Sequence, residues 1–206
     1  DSIDKKNDQN HPRKKLRAIA SGAVSIKSAL VLATILFFLS LFIGFNLKSK
    51  FILILIIYFL LQNLYCIFLK SVPLIEIFCV ASGFILRSTG GAVASNILIS
   101  PWFLLSVLLL SLFLAIEKRK AELLIFHNSK ILTRKVLKTY TLPLMNKFES
   151  VLTSCIIMTY SLWAYGPVIG GAKSPWMILT IPLTILGVFR YQMLSEFQKD
   201  NINNNI

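Results

Sequence analysis

An all-α, multi-pass transmembrane helical bundle is the fold class this sequence predicts, and three observations predict it. Hydrophobic residues make up 55% of the 206 residues against 15% charged, and the mean hydropathy is +0.70. That is far more apolar surface than a soluble domain of this length hides. The apolar residues fall into six runs, and lysine and arginine segregate to alternate connections between those runs.

The runs lie at roughly 25–45, 51–69, 72–95, 101–116, 142–164 and 175–194. Most approach the ~20 residues needed to cross a hydrocarbon core about 30 Å thick. The fourth is short, but it extends through Ala121–Phe126 as a helix leaving the bilayer. A buried core helix explains any one run; six in succession predict six spanning helices. Residues 1–195 then form a single transmembrane helical domain, and 196–206, with its Asn201–Asn204 tract, a polar and disordered tail.

Alternating six spans places Lys5, Lys6, Arg13, Lys14, Lys15, Arg17, Lys70, Lys118, Arg119, Lys120, Lys130, Arg134, Lys135 and Lys138 on one side. Only Lys48, Lys50 and Lys173 fall on the other. The rich side is cytoplasmic by the positive-inside rule, so the opening segment and the 117–140 connection share that face. The formal charge of +13 sits beside the spans, where it acts as an orientation signal and attracts anionic headgroups. The membrane is therefore the expected partner and nucleic acid is not. A homo-oligomer stays open.

Cys66, Cys79 and Cys155 lie in apolar runs without metal spacing and read as small buried packing residues. His11 and His127 belong to no zinc pattern, and no phosphate-loop, nucleophile-elbow or dinucleotide motif occurs. The chain opens on a charged segment rather than a signal peptide, which reads as a fragment.

That opening segment spaces Asp1, Asp4 and Asp8 as DxxDxxxD, three of the nine acidic residues in the chain. On a helix these offsets place the three carboxylates on one face, within about 60°. Such a cluster repels itself unless a cation sits within it, and Mg²⁺, shared with substrate phosphates, is the natural candidate. A solvated loop with helix-capping acids is the other reading.

Ionisable groups inside spans mark sites by default. Arg87 lies well inside the third run and Glu76 near its entrance, eleven residues away, about three turns along nearly the same face. Val80, Gly83, Gly90 or Gly91, and Ala94 continue that stripe, and small residues let neighbouring helices approach. Arg87 either locks two helices through a carboxylate or contacts phosphate in a polar cavity. Lys70 ends the second run, either snorkelling to the interface or reaching anions at the mouth. The run Glu117-Lys118-Arg119-Lys120-Ala121-Glu122 is either a charged helix exit or a site. As a site, Lys118 and Arg119 bind phosphate oxygens while Glu122 or Glu117 assists a metal. Together with the opening segment it suits a phosphorylated lipid, headgroup at the charged mouth and chain between helices.

These residues carry a family resemblance. Asp1-Ser2-Ile3-Asp4 through Asp8, His11-Pro12, Lys14–Arg17 and Ile19-Ala20-Ser21-Gly22 resemble the first aspartate-rich motif of the UbiA prenyltransferase superfamily. Tyr65…Leu69-Lys70, Glu76 and Gly83-Phe84-Ile85-Leu86-Arg87 are similar to its decaprenyl-phosphate phosphoribosyltransferase branch. So are Phe113-Leu114-Ala115 with Lys118-Arg119 and Glu122, and, more weakly, Tyr160–Ala164 and Arg190-Tyr191. Ala18 stands where the family usually has proline, and Glu76, one methylene longer, where it usually has aspartate.

The resemblance implies a UbiA-type bundle with two helices before the first motif and one after the last span here. It implies an Mg²⁺-dependent transferase moving 5-phosphoribosyl from phosphoribosyl diphosphate to a polyprenyl (decaprenyl) phosphate. Asp1, Asp4 and Asp8 would be the catalytic metal ligands. Lys14, Arg17, Lys118 and Arg119 would grip phosphates, with Lys70, Arg87, Tyr65, Glu76 and Glu122 beside them. Lys118-Arg119 replaces the second aspartate-rich motif of the aromatic prenyltransferases, which favours a substrate with extra phosphate. Transfer of a prenyl chain onto an aromatic acceptor is the alternative enzyme. A transporter or lipid-binding protein is the alternative of another class, disfavoured because the charge gathers in two loops on one face.

Overall fold

Helix boundaries follow local chemistry. In this computed structural model, which describes residues 9, 14–46, 49–129, 135–166 and 171–204, Ser25 caps α1 (Ile26–Phe45) by accepting the Ser28 N–H at 3.1 Å. α2 (Ser49–Ile67) leads through a 3₁₀ turn, Leu69–Ser71, to α3 (Ile75–Ser95). α3 stops at Asn96, whose φ of 59° is the left-handed conformation that asparagine tolerates at a helix end. α4 (Pro101–Ser129) is followed by the 3₁₀ turn Lys135–Lys138. Thr141 then caps α5 (Leu142–Ala164), and Pro143 sits in its first turn, where a missing N–H is harmless. The turn Pro175–Thr180 feeds α6 (Ile181–Asn204), which continues through residues 196–204, the stretch expected to be a tail.

The described residues thus form six long helices and no strand, as the six apolar runs predict. Five segments are long and apolar enough to cross a membrane: α1, α2, α3, Pro101–Phe126 of α4, and Pro175–Glu196. α5, at 23 residues, has the length as well. Lys147 and Glu149 near its start dilute its apolar character.

α4 is the hub. It packs on α3 and α5 and touches α6, while α3 packs on α2 and α2 on α1. The buried core gathers Ile77 and Ala81 of α3, Leu112, Ile116 and Leu123 of α4, Met145 of α5, and Tyr140 from the connection before it. Elsewhere the helices present leucine, isoleucine and phenylalanine outward, among them Leu30, Phe38, Leu60 and Leu186. In water such surfaces drive aggregation; against lipid chains they carry no penalty.

The small-residue stripe on α3 does meet a neighbour. A Cβ on Gly83 would stand 3.2 Å from Gln62 Nε2, and one on Gly90 3.4 Å from Ile54 Cγ2, so the glycines set the approach of α2. Of the cysteines only Cys79 is buried; Cys66 is exposed and Cys155 intermediate, because the outer faces of these helices are also apolar.

Candidate active site

Consecutive helices run antiparallel, so the starts of α1, α3 and α5 share one end of the bundle with the ends of α2, α4 and α6. Side chains join several of these at that charged end. The Arg119 Nε of α4 donates to Glu76 Oε1 of α3 at 2.8 Å, and Nη1 to Glu122 Oε2 at 2.6 Å. Glu76 is 0% and Arg119 3% exposed. A buried carboxylate is tolerated only with a close, hydrogen-bonded cation, and the planar guanidinium fork serves two at once.

One residue further on, Lys120 knits α4 to α5 and α6. Its ammonium contacts Glu117 at 3.1 Å, Glu149 of α5, and Glu196 of α6 at 3.4 Å. Gln192 Nε2 donates to Glu149 Oε1 at 2.8 Å and to Thr153 Oγ1 at 3.0 Å, and the Ser195 hydroxyl donates to Glu117. Lys118 is exposed, because 100° of rotation per residue turns it away from the core that Glu117, Arg119 and Lys120 face.

A strained turn positions Glu76. Leu74 adopts φ 63° and ψ −46°, and the Ile75 N–H donates to Pro73 O at 2.8 Å, closing a three-residue γ-turn of the less favourable hand. The Leu74 N–H is claimed by the hydroxyl of Tyr140 at 2.7 Å, reaching across from the α4–α5 connection. Tyr140 is 5% exposed, and burial pushes its phenol above the ordinary 10.0, so it stays protonated beside Glu76 and Arg119.

Several expected site residues meet here and others do not. Asp1, Asp4 and Asp8 lie outside the described residues, and Lys14 begins the first 3₁₀ turn. Arg17 is exposed just before α1, and Lys70 and Tyr65 are half-buried at the end of α2. Glu76, Arg119 and Glu122 form one network, so in this arrangement Arg119 holds carboxylates, and Glu117 and Glu122 are engaged by cations. Among the described residues no three His, Cys, Asp or Glu side chains group to hold a metal. The carboxylates described at this end do not fit a magnesium site. Lys120, Glu149, Gln192, Tyr140 and Tyr58 were not singled out by sequence. Glu149 interrupts an apolar run just as Arg87 does, and that signal was available.

Arg87 meets no carboxylate among the described residues. Its Nε donates to the Tyr58 hydroxyl at 3.0 Å, Nη2 reaches the same oxygen, and its guanidinium lies 5.2 Å from the Tyr58 ring centroid and 5.7 Å from that of Phe84. It lines two cavities. One, of about 180 Å³, runs along Gln62, Tyr65, Val80 and Gly83. The other, of about 500 Å³, extends past Ser88, Gly91 and Ser95 to Leu98 and Phe103.

Comparison with known proteins agrees with this arrangement. Residues 1–204 match the UbiA prenyltransferase family. The chain is 35% identical over 195 residues to a decaprenyl-phosphate phosphoribosyltransferase of Corynebacterium glutamicum, covering 93% of this chain and 58% of that one. It is 33% identical over 199 residues to the protein of the same name from Mycolicibacterium smegmatis, covering 93% and 62%. The chain therefore spans about three fifths of the length of the curated relatives it matches. A solved UbiA homolog from Archaeoglobus fulgidus, bound to DMAPP and Mg²⁺, superposes with a TM-score of 0.73 at 16% identity, over 94% of this chain and 67% of that one. Its fold is the one described above. With its succession of long apolar helices, this chain is an integral membrane protein, and it belongs to the UbiA prenyltransferase family.

Proposed function

We propose that this protein transfers 5-phosphoribosyl from phosphoribosyl diphosphate to a polyprenyl phosphate, with Mg²⁺, at the cytoplasmic face of a bacterial inner membrane. The observation that carries this reading is the charged end itself. Arg17, Lys70 and Lys118 stand at one end of an apolar bundle, the end toward which the smaller cavity beside Tyr65 lies. Cations over an apolar interior match a phosphorylated lipid beside a soluble diphosphate. The relatives of 33–35% identity, decaprenyl-phosphate phosphoribosyltransferases by name, suggest the phosphoribosyl group and the decaprenyl chain. The segregation of lysine and arginine supplies the cytoplasmic side.

Asp1, Asp4 and Asp8 would hold the magnesium, which when bound offsets the charge of the diphosphate leaving group. Arg17, Lys70 and Lys118 steer and hold the phosphates. Arg119 acts from behind, fixing the carboxylates of Glu76 and Glu122 so that the wall of the site keeps its shape. The lipid phosphate oxygen attacks the anomeric carbon as the bond to diphosphate breaks, so no nucleophile from the protein is required.

The test is transfer by membranes containing the full protein, given labelled phosphoribosyl diphosphate and decaprenyl phosphate. Label is expected in the lipid phase, lost on chelation of Mg²⁺ and lost in D4N. Label that stays in water, while geranyl diphosphate alkylates an aromatic acceptor in the same membranes, replaces this reading with the prenyltransferase one.

A further inference from the structure

Arg87 sits where a charge is hardest to keep. It lies in the middle of α3, eleven residues or about 16 Å beyond Glu76 and eight residues or about 12 Å short of Ser95 at the far end. A guanidinium at such depth is costly unless an anion or a polar wall compensates it. Its partners among the described residues are neutral, the Tyr58 hydroxyl and two aromatic faces. These orient the fork without neutralising it, and the arginine is exposed to the cavities rather than packed away.

The cavities differ in a way that fits an amphipathic ligand. On the side of the charged end, the chamber of about 180 Å³ has the polar groups of Gln62 and Tyr65 in its wall. On the far side, the chamber of about 500 Å³ is walled mainly by apolar groups, including Ile97, Leu98 and Phe103. Arg87 belongs to both walls. A single cation at the junction of a polar and an apolar chamber is complementary to a molecule with an anionic head and a hydrocarbon chain. A soluble diphosphate has no use for the apolar chamber, and its cations stand at the charged end.

We propose that Arg87 is the binding site for the phosphate of the lipid acceptor, whose prenyl chain lies in the far chamber along Ser88, Gly91 and Ser95. Its phosphate then faces the charged end through the smaller chamber. This assignment rests on the phosphoribosyl-transfer reading for its chemistry, but the binding site it names has its own readout.

Two variants of the full protein test it. In R87Q the KM for decaprenyl phosphate rises at least tenfold, while that for phosphoribosyl diphosphate stays within twofold. S95W narrows the far part of the apolar chamber, about 12 Å along α3 from Arg87, where a chain of two isoprene units ends and one of ten must continue. It raises the ratio of KM for decaprenyl phosphate to KM for geranyl phosphate at least fivefold. Independently of turnover, wild-type protein in nanodiscs binds geranyl phosphate at least tenfold more tightly than geraniol, and R87Q loses that preference. A KM effect of R87Q on phosphoribosyl diphosphate instead of the lipid overturns the proposal. So does a preference for phosphate over alcohol that survives in R87Q, or one that wild type never has. If wild type transfers no phosphoribosyl at all, the functional reading fails, and the binding arm alone decides the role of Arg87.

Discussion

Arg119 donates through Nε to the carboxylate of Glu76 at 2.8 Å, and this one bond fastens the end of α4 to the start of α3 in a place that water does not reach. It divides the Lys118-Arg119 pair. Neighbouring residues on a helix point 100° apart, so Lys118 faces outward to the mouth while Arg119 faces inward to two acids. The motif is thus half outward-facing cation and half internal brace.

R119Q removes the brace and leaves Glu76 fully buried without its cation. A loss of about 3–5 kcal/mol is expected, since the remaining charge has no solvent to retreat to. R119K keeps the charge but not the fork, and should fall between. The double variant R119Q/E76Q should recover part of the loss, because neither partner is then an orphaned ion. Chemical or thermal unfolding in detergent reads all three, and additive single-variant losses would show that the two residues act independently.

Lys120 carries the same logic across three helices. K120M leaves Glu117 and Glu149 facing each other without the ammonium between them, and should destabilise by at least about 3 kcal/mol. K120M/E149Q should regain some of it. E196Q alone should change stability by less than about 1 kcal/mol, because Glu196 is 60% exposed and its contact with Lys120 is 3.4 Å. The comparison of E149Q with E196Q separates burial from mere proximity.

The six helices were legible because crossing a membrane demands long unbroken apolar runs, and few soluble patterns imitate that. The face of α3 carrying Gly83 and Gly90 was legible too, since only small residues permit the approach that α2 makes there. What sequence could not give was the partner of each charge. Glu76 and Arg119 are forty-three positions apart and Lys120 and Glu196 seventy-six. Nothing local tells a buried pair from a solvated helix exit until the ends of α3, α4, α5 and α6 are seen to converge. Tyr140 was invisible for a different reason: its role is to accept a backbone N–H from a turn whose shape no residue pattern announces.

That turn makes a prediction with an unusual sign. Leu74 is 45% exposed, so little burial is lost in L74G, while glycine relieves the positive φ. L74G should leave stability unchanged or raise it by up to about 1 kcal/mol. Y140F, by contrast, orphans the Leu74 N–H and should cost about 1–2 kcal/mol. Because the folded-state pKa of Tyr140 lies above its unfolded value of 10.0, its contribution is intact below pH 10 and is lost as pH rises through the higher folded value. Unfolding midpoints of wild type and Y140F should therefore converge in strong alkali and nowhere in the neutral range.

Gly83 and Gly90 separate helix approach from the cavity. A Cβ at Gly90 would meet Ile54 Cγ2 at 3.4 Å and Phe51 at 3.7 Å, ordinary contacts with α2, and Gly90 lines neither chamber. G90A should therefore gain helix propensity, up to about 1 kcal/mol, with turnover preserved. At Gly83 the nearest atom is the amide nitrogen of Gln62 at 3.2 Å, the end of a flexible side chain that can move, and Gly83 walls the smaller chamber. G83A should be tolerated in stability while narrowing the passage between Tyr65 and Arg87, and G83L should close it. Transfer to decaprenyl phosphate is expected to fall modestly in G83A and by tenfold or more in G83L, with both variants still cooperatively folded in detergent. Equal turnover in G83L and G90A would mean that the chamber between the charged end and Arg87 lies off the path of the substrate, since only one of the two substitutions enters it.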